Sequence, residues 1–154
     1  TLGMWAFLAT ELLFFGGNSI ISEVVAHGDT LPPGGSKTFG LKAKYFLDAP
    51  DYYLLLRLKK NDSIVAEYTQ YYLPPKKLNL QKPQITYTLG KDYIELKTDR
   101  FAYGVRLDVP DGVELEDNYF HLHSVGPKRI KFRSAVPLED IRKTIRIRSL
   151  VDTY

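Results

Sequence analysis

The feature that most constrains this chain is its punctuation. Turn-forming residues recur at short, regular intervals: His27-Gly28-Asp29, Pro32-Pro33-Gly34-Gly35, Asp48-Ala49-Pro50-Asp51, Lys60-Asn61-Asp62, Pro74-Pro75, Gly90-Lys91-Asp92, Pro110-Asp111-Gly112 and Gly126-Pro127. Gly and Asn reach backbone conformations other residues avoid, and Pro presets φ, so such clusters end regular structure. The runs between them suit strands. Tyr52–Leu58 is almost wholly apolar, as a core strand would be, and Ile64–Leu73 follows after a short turn, which predicts a hairpin. Ile85–Leu89, Tyr93–Thr98, Tyr103–Val109, Tyr119–His123 and Arg129–Phe132 read as further strands, and Thr144–Leu150 as a final one. Helix signals are weak, with one helical turn at Pro137–Ile141. Short strands separated by turns every eight to twelve residues or so indicate an all-β, immunoglobulin-like β-sandwich.

Composition agrees. Aromatics make up 13% of the 154 residues, with eleven Tyr and eight Phe, and these side chains fit a pleated, half-buried surface. Three Pro within Leu73–Pro83 mark a boundary, since each removes a backbone donor. The expected organisation is two small sandwich units, residues 1–75 and 83–154, joined by a linker at 76–82. The chain has no Cys, which excludes disulfides, thiolate metal sites and a Cys nucleophile. The net charge of +3 is uneven: six Lys/Arg face seven Asp/Glu in residues 1–75, and fifteen face eleven in residues 76–154. The basic excess near the end reads as the solvated face of edge strands, where Lys and Arg discourage edge-to-edge pairing. Basic residues and aromatics interleave only weakly, so no nucleic-acid partner is expected.

Residues 2–17, LGMWAFLATELLFFGG, form the most apolar stretch, with Glu11 its only charge. A buried strand turning at Gly16-Gly17-Asn18-Ser19 into a second strand, Ile20–Ala26, competes with a buried helix and a membrane helix. Spanning a bilayer takes about 20 apolar residues, and reaching that length brings in Asn18, Ser19, Ser22 and Glu23. The hairpin is the favoured reading, and no membrane partner is expected.

Candidate functional groups are few. Asp111, Glu114, Glu116 and Asp117 lack the spacing of a calcium loop and read as a solvated turn and strand. His121 and His123 flank Leu122, which puts both on one face of a strand, but with His27 in the other unit they read as a surface pair. No metal, cofactor or catalytic residue is expected. Tyr53 and Tyr72, from the pairs Tyr52-Tyr53 and Tyr71-Tyr72, are the candidate sugar-stacking rings, because apolar ring faces pack on the C–H faces of sugars. Alternation along a strand would turn one ring of each pair inward. Asn61-Asp62-Ser63 is an N-glycosylation sequon at an expected hairpin tip. Taken alone, these residues describe a soluble, mostly β chain and no activity.

Longer segments supply a resemblance. TLPPGGSKTF (30–39), APDYYLLLRLKKNDSIVAEYTQYYLPPKKLNLQKPQI (49–85), YIELKTDRFAYGVRLDV (93–109) and VELEDNYFHLHSVGPKRIKF (113–132) resemble, in order and spacing, the C-terminal Ig-like domains of β-mannosidases. These are glycoside hydrolases of the large family that includes β-galactosidase and β-glucuronidase. The stretch Asp117-Asn118-Tyr119-Phe120 is similar to a characteristic motif of the last domain. The ending IRSLVDTY (147–154) is similar to that of animal lysosomal β-mannosidases. The opening residues 2–17 also resemble a transmembrane helix of cytochrome c oxidase subunit III. The resemblance to β-mannosidases implies a non-catalytic accessory part. Its partner would be the catalytic domain of a parent glycosidase, with a glycan as a further partner, in a lysosomal or secreted setting. Such enzymes carry both catalytic glutamates on a (β/α)₈ barrel that does not fit in this length. By the same comparison the chain begins within a domain, so the first sandwich is expected to lack its opening strands. A fragment, a processed chain and a relative that kept only the accessory part all fit. A free carbohydrate-binding or adhesion module, and a β-domain tethered by residues 2–26, are the alternatives.

Overall fold

The computed structural model describes residues 6–16, 19–31, 52–60 and 63–153; for residues 6–16, 19–31, 52 and 60 the description covers the backbone alone. The chain divides into two compact units, Thr1–Asn79 and Leu80–Tyr154. Among the described residues the first is one four-stranded antiparallel sheet of order β2-β1-β3-β4, built from β1 (Ala6–Gly16), β2 (Ser19–Leu31), β3 (Tyr52–Lys60) and β4 (Ser63–Tyr71). The apolar opening is therefore the expected hairpin, β1 to β2, with Gly16 paired to Ser19. The backbone of residues 6–16 is a strand, which corrects the membrane-helix alternative. No described helix is long and apolar enough to cross a membrane. β1 lies between β2 and β3, and a strand with neighbours on both sides is where a nearly continuous apolar run belongs. Its one charge also has a place in the register. Glu11 stands opposite Arg57 of β3, and Arg57 stands opposite Glu67 of β4. Arg57 is buried at 9% exposure and its Nε donates to the Glu67 carboxylate at 2.8 Å. A buried guanidinium requires such a partner.

The second unit is a sandwich of two antiparallel sheets. One has the order β5-β6-β10-β8: β5 (Ile85–Leu89), β6 (Tyr93–Thr98), β10 (Lys128–Ser134) and β8 (Val113–Leu115). The other has the order β11-β7-β9: β11 (Arg146–Arg148), β7 (Ala102–Asp108) and β9 (Phe120–Leu122). Alternation sends Ile94 and Leu96 of β6, and Ile130 and Phe132 of β10, into a core shared with Ala102, Val105 and Leu107 of β7 and Phe120 and Leu122 of β9. The intervening residues, such as Lys97, Arg129 and Lys131, stay outside. This is the expected all-β immunoglobulin-like architecture: seven short strands over a single core.

β8, only three residues long, forms in the stretch that reads as a solvated turn and strand. Two details depart from the strand pattern read off the sequence. The helical turn at Pro137 runs further, as α1 (Leu138–Thr144), and buries Ile141 completely against the core. Glu139 and Asp140 in its first turn and Arg142 and Lys143 in its last suit the helix dipole. Finally, the ladder between β7 and β9 slips between Ala102 and Val105. Gly104 sits in that slip at φ 57°, the left-handed conformation that a bulge of this kind requires.

Candidate functional site

Three arrangements in the second unit bring chemically useful groups together. The first is an open groove of about 540 Å³ along β8 and β10, lined by Asp92, Glu114, Glu116, Lys131, Arg133 and Phe132. Arg133 lies opposite Glu114 in the register, and the Glu116 N–H donates to the Lys131 carbonyl at 2.9 Å. Carboxylates and cations alternate along this face. Such a surface suits a polar contact and sets no carboxylate apart for proton transfer.

The second is a ring cluster where β7 and β9 begin and end. Phe101 stacks on His123 with centroids 5.1 Å apart, and lies 5.9 Å from His121; Tyr103 tilts against His121 at 4.5 Å. The two histidines share a side, as strand alternation requires. They are not the surface pair expected: His123 is 4% exposed, because Phe101 is itself buried and covers it. The Gly104 N–H donates to His121 Nδ1 at 3.1 Å, so that nitrogen is unprotonated there and any ring proton sits on Nε2. Among the described residues no group of three His, Asp or Glu side chains is placed to hold a metal.

The third arrangement is built on Asn118. Its side-chain Oδ1 accepts from the Leu107 N–H at 2.9 Å and its Nδ2 donates to the Leu107 carbonyl at 3.0 Å. Oδ1 also takes the N–H of Tyr119 at 3.0 Å. Tyr119 adopts φ 62° and leaves its side chain 64% exposed. The Arg106 guanidinium lies 5.8 Å from the centre of that ring. Arg106 Nε donates to Asp108 Oδ1 at 2.6 Å, and Arg148 Nε, from the neighbouring strand, donates to Oδ2 at 2.9 Å. These guanidinium bonds, Arg148 first, hold the Asp108 carboxyl below its ordinary value. The resemblance had drawn attention to Asp117-Asn118-Tyr119-Phe120 without saying what the residues do. An isolated Asn-aromatic pair carries no sequence signal of a left-handed residue or of a side-chain amide completing a sheet.

The sugar-stacking candidates fall in the first unit. Tyr53 is 5% exposed, on β3 opposite Tyr71. Burial first, and the adjacent Tyr71 second, push its phenol well above the usual range. Tyr53 is therefore turned into the core and offers no open face to a sugar, which corrects its place among the stacking rings. Tyr72 follows the end of β4, half-buried, and burial raises its phenol too. Asn61, the sequon residue, lies outside the described residues.

Residues 76–153 match the Ig_mannosidase family model, an Ig-fold domain. No curated protein sequence matches the chain. Among solved structures, a β-D-mannosidase from Dictyoglomus thermophilum superposes with a TM-score of 0.67 at 12% identity, over 96% of this chain and 19% of that one. An exo-chitosanase from Amycolatopsis orientalis superposes with a TM-score of 0.53 at 13% identity, over 94% of this chain and 23% of that one. The chain thus spans about a fifth of the length of each, and at these identities the likeness is one of fold.

Proposed function

The chain belongs to the Ig_mannosidase family of Ig-fold domains through residues 76–153, and from that premise we propose that it is a non-catalytic accessory part of a β-mannosidase-type glycoside hydrolase. Its work is to pack against the catalytic domain of the parent enzyme and shape the surroundings of the active site. The observation that carries this reading is the family match across the whole second unit. The fold likeness of 96% of the chain to 19% of a β-D-mannosidase supports it. The groove carboxylates Glu114 and Glu116 lie among Arg133 and Lys131, and the ring cluster is built of Phe101, Tyr103, His121 and His123. A lysosomal or secreted setting goes with this reading, and Asn61 would then carry a glycan.

Intact mass and N-terminal sequencing of the native gene product test the proposal, together with hydrolysis of an aryl β-D-mannoside. The expected result is a product several times longer than 154 residues that turns the mannoside over, while the isolated chain does not. A native product of this length with no mannosidase partner would overturn it. A mass shift on enzymatic deglycosylation, lost in Asn61→Gln, reports on the sequon separately.

A further inference from the structure

Most side chains in the second unit are explained by the fold, and Tyr119 is not. A left-handed conformation at a bulky residue costs about 1–2 kcal/mol, and glycine would take it freely. The ring returns little of that to the fold, because it is 64% exposed and its one described ring contact is the Arg106 guanidinium at 5.8 Å. Asn118, fixed by three hydrogen bonds, sets the backbone on which that ring stands. The neighbouring outward positions are charged. Arg106 on β7 and Arg148 on β11 set two guanidiniums against the Asp108 carboxylate, Arg146 stands opposite Asp108 in the register, and all three arginines are exposed. Asp108 draws on one donor of Arg106 and two of Arg148, out of five that each guanidinium carries.

We propose that Tyr119, Arg106 and Arg148 form a surface binding site for a carboxylated sugar. The flat C–H face of one pyranose ring stacks on Tyr119, and its carboxylate takes the guanidinium donors that Asp108 leaves over. Asp108 orients both arginines and accepts a sugar hydroxyl at the edge of the ion pair. A single exposed ring matches one sugar face. A docked peptide would need more apolar surface than one ring, and the adjacent positions are charged instead. The excess of guanidinium over carboxylate favours an anionic sugar over a neutral one. This site is independent of the accessory-domain reading.

The test is titration of the full chain with hexagalacturonate and with neutral mannohexaose, followed by backbone and Tyr-ring NMR. Hexagalacturonate is expected to shift Tyr119, Arg106 and Arg148, to bind roughly tenfold or more tightly than mannohexaose, and to weaken as salt is raised. Tyr119→Gly should lose the binding while its melting temperature stays level or rises, which separates recognition from folding. Arg106→Gln should weaken binding about fivefold or more and flatten its salt dependence. Arg129→Gln, on the other sheet, should leave it unchanged. Binding that survives Tyr119→Gly, or shifts that map to Arg129, Lys131 and Arg133 instead, would overturn the proposal. So would the absence of any shift with hexagalacturonate, which would leave Tyr119 to a protein partner.

Discussion

The side-chain amide of Asn118 does the work of a strand backbone for Leu107. β9 begins only at Phe120, and Tyr119 before it turns left-handed, so no backbone is placed to pair with Leu107 on that edge. The amide supplies both an acceptor and a donor there, at 2.9 and 3.0 Å. Leu107 is 2% exposed, so an unpaired N–H at this point would be cut off from water. Asn118→Ala is therefore expected to cost about 2–4 kcal/mol, the penalty of two stranded backbone groups. The measurement is chemical denaturation of the variant beside the wild type. Asn118→Asp keeps the acceptor and loses the donor, and should fall between the two. A loss below about 0.5 kcal/mol for the alanine variant would mean that water replaces the amide.

Two glycines in the same unit should respond to alanine for different reasons. At Gly90 a Cβ would collide with the Tyr93 ring, which folds back over the β5–β6 turn. Gly90→Ala must displace that ring and is expected to cost about 1–3 kcal/mol. At Gly104 nothing lies within 4 Å of the added carbon, and only φ 57° opposes it. Gly104→Ala should cost about 1 kcal/mol, and Gly104→Asn less, since Asn tolerates that region. The diagnostic is the double variant. Tyr93→Leu should rescue part of the Gly90→Ala loss and none of the Gly104→Ala loss, read as coupling in a double-mutant cycle.

These examples mark where the sequence is legible. Turn residues and period-two alternation place β5 and β6 to the residue, because Ile94 and Leu96 must face a core while Glu95 and Lys97 face water. The N-terminal hairpin is legible for a similar reason: Gly and Asn between two apolar runs favour a turn over a long helix. Pairing across the chain is not legible. Glu11 reads as a stray charge in an apolar run until the register sets it opposite Arg57, forty-six positions away. The helix α1 is understated because Ile141, its one buried residue, shows no periodicity by itself. His121 and His123 look like a surface pair because alternation says which side they share and not that Phe101 covers it. The left-handed Tyr119 has no precursor in composition, since most such positions carry Gly, Asn or Asp.

Acid should weaken the fold through three carboxylates. Asp99 accepts the Gln84 N–H at 2.7 Å, Asp108 binds Arg148 and Arg106, and Asp152 accepts the Ser149 N–H at 2.8 Å with Lys82 beside it. Each is held below the ordinary carboxylate value of 3.8, by those backbone bonds first at Asp99 and Asp152 and by the Arg148 bond first at Asp108. A depressed folded value means that the stabilisation is complete above the unfolded value and is lost as pH falls through the folded one. The melting temperature is thus expected to hold level from about pH 7 to pH 5 and to drop below about pH 4. Asp152→Asn, which can still accept from Ser149, should reduce the steepness of that drop. A curve that is level to about pH 2 would show that these bonds persist in the unfolded chain.

The second unit should fold without the first. Its ten-residue buried cluster runs from Ile94 to Ile141, and every member lies inside Leu80–Tyr154. The ends are tied as well, because Lys82 near the start reaches Asp152 near the finish at 3.1 Å. A domain of this size buries only about 60% of its unfolded surface, so the margin is small and each core residue matters. Residues 80–154 expressed alone are expected to give a dispersed amide spectrum and a single cooperative transition. Ile141→Ala in that piece should cost about 2–4 kcal/mol, enough to bring it close to unfolding at room temperature. A collapsed spectrum for the wild-type piece would show that this core is not self-sufficient. A near-neutral Ile141→Ala would show that α1 rests on the sandwich without completing it.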